Sequence, residues 1–348
     1  VQAVIRVFWN AEQRRLRALW RLAIQALVWF ILTFLVQVVV GIIAGVVALA
    51  TRSLTPEQLA DPQVLQELFL GSPVVLLGLQ FLSLLISLLT VWLAGRFLDR
   101  RRLRDFGSRF SRNWWVDFVF GLVLGAVLMG LIFLTEWLAG WVTISGTFVT
   151  TQEGWLFPLA ILIPALMFVM VGISEELFSR GYQLTNFAEG FRGMKISPQG
   201  SVVLATLVSS AIFGILHIFN PNASLVSSFN IFLAGILLAM GYILTGELAI
   251  PIGLHISWNF VQGNVFGFPV SGGSTHAATF IAIQQGGPDL WTGGAFGPEA
   301  GLVGVLAMIL GVLLIAGWVR VRYGRVTFHT PLAEYTPPPG QASQTQEA

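Results

Sequence analysis

The chain has 348 residues, of which 55% are hydrophobic and only 10% charged. Soluble globular chains carry about 25% charged residues, so the composition excludes a water-soluble enzyme and specifies an all-α polytopic membrane protein. The net charge of +2 comes from arginine, with Lys195 the sole lysine, which gives no basic face for nucleic acid; the absence of cysteine excludes disulfides, thiol nucleophiles and thiolate metal sites.

The first apolar stretch runs from about Leu19 to Ala50, behind Arg14, Arg15, Arg17 and Arg21. It exceeds the roughly 7–15 residues of a signal-peptide core, so it is expected to span. Thr51 to Ser72 carries Glu57, Asp61 and Glu67 against Arg52 alone, and Pro73 to Gly95 is a second span. The next loop holds Arg96, Arg100, Arg101, Arg102, Arg104, Arg109 and Arg112. By the positive-inside rule it and the N-terminus face the cytoplasm, and the loop is expected to meet anionic lipid.

A third span covers Trp115 to Val142 between tryptophans 114, 115, 137 and 141, with Glu136 expected at the interface. Thr143 to Trp155 is predicted as an outer loop. The fourth span begins near Phe157, passes Pro164 and ends at Glu175 and Glu176, before a polar stretch from Arg180 to Gly200. Ser201 to Phe219, Phe229 to Thr245, Ile250 to Phe266 and Gly301 to Val319 bring the total to about eight, with both termini inside a cell (plasma) membrane. Residues 1–330 form one transmembrane domain whose four-helix catalytic core covers about 157–266. Gly267 to Ala300 reads as an ordered outer loop or partly re-entrant lid, and Pro331 to Ala348 as a disordered tail. His276 and His329 are expected to be solvated.

Polar groups inside spans must face a bundle interior or a water-filled cavity. Glu176 and Arg180 are four apart and share a helix face, whereas Glu175 is turned about 100° away toward the bundle centre. His255 and Asn259 share a face, as do Phe213 and His217. One carboxylate, two imidazoles and an amide can therefore converge from three helices. One feature strains this convergence. The glutamates fall late in a span entering from outside and His217 late in a span entering from inside. At 1.5 Å per residue their depths differ by much of the ~30 Å core, which requires unequal span heights, tilt or a kink at Pro164. The early position of His255 in its span favours a cavity opening to the cytoplasm.

Glu175-Glu176-x-x-x-Arg180, Phe213-x-x-x-His217 and His255-x-x-x-Asn259 resemble, in order, the three motifs of the CPBP family. That family comprises CAAX prenyl endopeptidases and bacteriocin-processing, abortive-infection-like intramembrane proteases. The likeness covers about Ile173 to Val265, and Trp291 to Gly301 also resembles the family. It implies peptide-bond hydrolysis in or at the edge of the bilayer, on a membrane-embedded or lipidated peptide or protein substrate. Residue chemistry is compatible with this: Glu175 as general base on water, His217 orienting that water, His255 and Asn259 as oxyanion donors. Glu176, Arg180 and Phe213 would be supporting groups.

The same atoms offer a second route, with Glu175, His217 and His255 binding Zn²⁺ and a water in the open position. The family includes both descriptions; the soluble zincin signature is missing, and the metal-free route is preferred. The alternative of a different class is a non-proteolytic scaffold or transporter that uses the polar cluster for binding.

Overall fold

A computed structural model of the chain describes residues 7–51, 53–59, 61, 64, 72–151, 153–273 and 277–335. Its long helices are α1 (Ala18–Ala50), α2 (Pro73–Leu93), α3 (Arg112–Leu138), α4 (Leu162–Glu176), α5 (Thr185–Arg192), α6 (Pro198–Leu216), α7 (Leu225–Thr245), α8 (Ala249–Phe260) and α9 (Leu302–Tyr323). Four of the apolar runs start at a serine whose hydroxyl accepts from a backbone N–H three residues on: Ser72, Ser111, Ser197 and Ser224. Such caps satisfy donors that a helix start leaves unpaired.

Among the described residues, seven helices are long and apolar enough to cross a membrane. The expected span at Ile250 to Phe266 is not one of them. It is α8 with a π-turn at Val261–Val265, short and wrapped by other helices. The two ends of the described chain meet: the Arg15 guanidinium lies 3.5 Å from the centre of the Tyr335 ring.

The fourth span departs most from expectation. Pro164 cannot donate to the carbonyl of Ala160, and the helix breaks at Ile161. Beyond Glu176 it does not stop. A π segment, Leu177–Leu184, joins α4 to α5, so the whole element runs from Phe157 to Arg192 over 36 residues. Arg180, Tyr182, Asn186 and Glu189 are buried in protein there, so their polarity does not expel the chain from the helix. The glutamates are thus mid-element, which removes the depth conflict. Glu175 lies about 26 Å before Arg192 and His217 about 29 Å after Pro198, both measured from the same short connector.

Toward the C-terminal end of α5, Glu189 accepts from Arg15 at 2.7 Å and Arg21 at 2.8 Å and forms an ion pair with Arg101 at 2.7 Å, while Arg21 meets Asp99 at 2.5 Å. This clasp draws the N-terminal segment, α1 and the arginine loop onto α5. The chain remains ordered through a 3-10 turn at Thr330–Ala333 to Tyr335, and residues 336–348 of the expected tail lie outside the described residues. His329 is half-buried rather than fully solvated: its ring packs on Gly246, where a Cβ would collide with it.

The two outer connections form a ribbon, β1 (Val142–Thr150) antiparallel to β2 (Ala278–Gln285), with Val142 opposite Gln285 and Thr150 opposite Ala278. Glu136 is not interfacial. It is fully buried beneath this ribbon and accepts from Gln285 Nε2 at 2.8 Å. His276 lies outside the described residues.

Glycines set the position of α8. A Cβ on Gly121 or Gly125 of α3 would collide with the backbone of α8 at Ile250 and Leu254, and one on Gly253 with Phe118 of α3. Such close approach is the small-residue packing of membrane helices. Gly121→Leu is expected to destabilise the protein by about 1–3 kcal/mol through overpacking, read as a lower thermal midpoint. Gly130→Ala on the same helix, where a Cβ meets nothing within 4 Å, should be neutral or stabilising.

Candidate active site

Glu176 is fully buried and holds two partners on one oxygen. Its Oε1 accepts from Arg180 Nη1 at 2.9 Å and from His255 Nδ1 at 2.8 Å. The i,i+4 pair read from spacing is therefore present, and an imidazole from α8 completes it. Arg180 also donates to the Gly235 carbonyl at 3.3 Å and stacks 4.3 Å over the Phe213 ring. With Nδ1 donating to Glu176, the other nitrogen of His255 points toward Glu175, whose Oε2 is 4.0 Å away on a side chain 38% exposed. One imidazole thus sits between a buried and an accessible carboxylate.

His217 caps α6, with Nδ1 2.8 Å from the Phe213 carbonyl. In the neutral ring Nδ1 then donates and Nε2 is a free acceptor. The Phe213 ring lies 4.6 Å from His217 and 6.4 Å, edge-on, from His255, so it spaces the two imidazoles. Glu175, His217, His255, Asn259 and Phe213 all line one cavity of about 600 Å³ between α1, α2, α4, α6 and α8. Glu176 and Arg180 stand behind its wall.

One end of the cavity is closed by Asn220, Val270 and Ser271, and none of the loop arginines lines it. The opening expected toward the arginine loop is therefore not seen. The α8 start is occupied by packing against Gly107, whose carbonyl accepts from Leu248 N at 2.8 Å. His255 is early in its helix but lies beyond that plug.

Residues outside the motifs join the site. Thr33, Gln37, Gln80, Ser83 and Ser87 line the cavity from α1 and α2; their only signal in the sequence is an uncharged polar group inside an apolar window. Glu299, 3% exposed, holds the loop at Ser271: it accepts from Ser271 N at 2.5 Å and from Gln262 Nε2. Ser271 in turn accepts from Asn220 Nδ2 at 3.0 Å. Burial pushes the Glu299 carboxyl up to about 7. A carboxyl raised on folding stabilises the fold most fully below its ordinary range, and that contribution is lost as pH rises through about 7. The thermal midpoint should fall from pH 5 to pH 8 by the equivalent of about 2 kcal/mol, and Glu299→Gln should flatten that slope in differential scanning fluorimetry.

The postulated zinc set does not assemble. Among the described residues no three His, Asp or Glu side chains are grouped to hold a metal ion. Glu175 and His255 approach each other, while the Nδ1 atoms of both imidazoles are bonded to Phe213 and to Glu176, which leaves each Nε2 facing outward from those bonds.

Residues 154–261 match the family described as type II CAAX prenyl endopeptidase Rce1-like. The motif-bearing core is thus similar to that family over these residues. The match bears out the CPBP resemblance and covers Glu175, Glu176, Arg180, Phe213, His217, His255 and Asn259 together. The uncharacterized protein YyaK of Bacillus subtilis (strain 168) is 30% identical over 200 residues, 56% of this chain and 62% of the relative. The chain thus matches less than two thirds of that curated relative's length, and no solved structure matches it. Within the residues that match the family model, then, lie the motif groups that converge on the cavity, while the α1 and α2 walls lie outside the matched residues.

Proposed function

We propose that the protein is an intramembrane endopeptidase that hydrolyses a peptide bond in a membrane-associated or lipidated peptide. The observation that carries this reading is the His255 ring held between buried Glu176 and accessible Glu175 at the wall of the cavity. Glu175 takes a proton from a water molecule as the water oxygen adds to the peptide carbonyl carbon, with His217 Nε2 orienting that water. The oxyanion is stabilised by the Asn259 amide and by the imidazolium form of His255, which alone has an Nε2 proton to donate once Nδ1 is held by Glu176. The C–N bond then breaks as the leaving nitrogen takes the proton from Glu175, giving a carboxylic acid and an amine.

The arginine loop, Arg15 and Tyr335 share one side, which the positive-inside rule assigns to the cytoplasm of the cell membrane. Purified protein in phosphatidylcholine vesicles should cut at least one of a panel of apolar peptides, read by mass spectrometry as paired products. Binding without products across the panel would overturn the reading in favour of a scaffold or transporter.

A further inference from the structure

Helices α1 and α2 run antiparallel and place polar residues opposite one another in four rungs: Gln25 with Thr90, Trp29 with Ser87, Thr33 with Ser83, and Gln37 with Gln80. The spacing of four on α1 and three or four on α2 keeps each set on one face. The first two rungs are closed, with Gln25 Nε2 3.4 Å from Thr90 Oγ1 and Trp29 Nε1 3.1 Å from Ser87 Oγ. The last two are open. Thr33 Oγ1 is buried without a partner, and Gln37, Ser83 and Gln80 have no side-chain hydrogen bond among the described residues. All four line the cavity that contains Glu175.

Unpaired amides inside a membrane span are costly, so an open pair of rungs facing a cavity points to a ligand that completes them. Its chemistry follows from the walls. Val36, Leu76, Leu79, Ile86, Met167 and Phe168 are apolar, and among the described residues Glu175 is the one carboxylate on the lining, beside the imidazoles of His217 and His255. A helical segment entering from lipid brings no free backbone groups. An unwound one brings several, and each needs a partner there.

We infer that the open rungs Thr33, Gln37, Ser83 and Gln80 are a backbone-recognition track for an uncharged apolar peptide segment that leaves its helix and lies extended beside Glu175. This rests on the peptidase reading and names its substrate class. From Gln80 to Ser83 and from Thr33 to Gln37 the open rungs span about 5–6 Å, the length of about two extended residues at 3.3 Å each. The amide and hydroxyl groups take up the carbonyls and N–H groups that unwinding frees. The apolar walls take the side chains.

The test uses the absence of cysteine in the chain. Glu175→Gln protein carrying Leu79→Cys, in phosphatidylcholine vesicles, is mixed with an uncharged transmembrane peptide bearing one cysteine, and disulfide trapping is measured. A second protein carries Leu131→Cys on the lipid-facing side of α3 instead. Trapping is expected at position 79 at least tenfold above position 131, and Gln37→Leu with Gln80→Leu should lower it at least tenfold. Both leucines suit a membrane span, so the thermal midpoint of that variant should equal or exceed the parent's. Equal trapping at the two positions, trapping unchanged by the leucines, or a lowered midpoint would each overturn the track. Protein with Glu175 restored that carries Leu79→Cys and traps the peptide, while the cysteine-free wild type does not cut it, would refute the peptidase and leave the track standing. Cleavage with leucine-insensitive trapping would do the reverse.

Discussion

Glu175→Gln protein is expected to fold normally and to lose at least 10²–10⁴ of its peptide turnover, the contribution typical of a positioned general base. The side chain is 38% exposed and lines the cavity, so the near-isosteric amide has room and leaves no buried charge unpaired. What changes is proton affinity: an amide cannot accept the proton of the attacking water. A quenched-fluorescence peptide in vesicles would report the rate, and scanning fluorimetry the fold. Turnover within tenfold of wild type would remove Glu175 from the base role, and His217, with its free Nε2, would become the candidate. His217→Gln is the companion measurement, since loss in both variants is what a shared water requires.

Arg180→Met is expected to be among the most destabilising single changes at the site, by about 3–5 kcal/mol. Arg180 is 1% exposed, and its removal leaves Glu176, at 0% exposure, with the His255 ring alone to balance it. Glu176→Leu combined with Arg180→Met should recover most of that loss, because a buried ion pair replaced by apolar groups of similar size is often neutral. Activity should not recover. His255 Nδ1 would have no acceptor and the ring no fixed orientation toward Glu175. Denaturation midpoints of the two variants, set beside their turnover, separate the cost of burying a charge from the service that charge performs. A double variant that regained activity along with stability would show that Glu176 has no part in orienting His255.

Much of this was legible because hydropathy and spacing are local properties. The spans of α1, α2, α3, α6, α7 and α9 follow from apolar runs, and the Glu176–Arg180 bond from a separation of four. Partners far apart in the chain left no such mark. Nothing within a window around Arg180 says that Gly235 and Phe213 will receive it, so the polar stretch after it reads as an exit from the membrane when it is the buried continuation of a helix. The Glu176–His255 bond joins residues 79 apart, and resemblance, not periodicity, brought them into one argument. The β1–β2 ribbon escaped because each strand lies in a connection that looks irregular alone. Gln37 and Gln80 were visible all along as amides in apolar windows, and acquired meaning only when α1 and α2 were seen to face each other.

The clasp on Glu189 has a consequence for the order in which the molecule can be made. Arg15 leaves the ribosome first among its members, Glu189 later and Tyr335 after both. The arginine side can therefore pair early, but its aromatic cover arrives only after α9 has been threaded. Closure over Arg15 therefore waits for α9, and a chain made only as far as α8, though it already holds every motif residue, would lack the ring that covers the clasp.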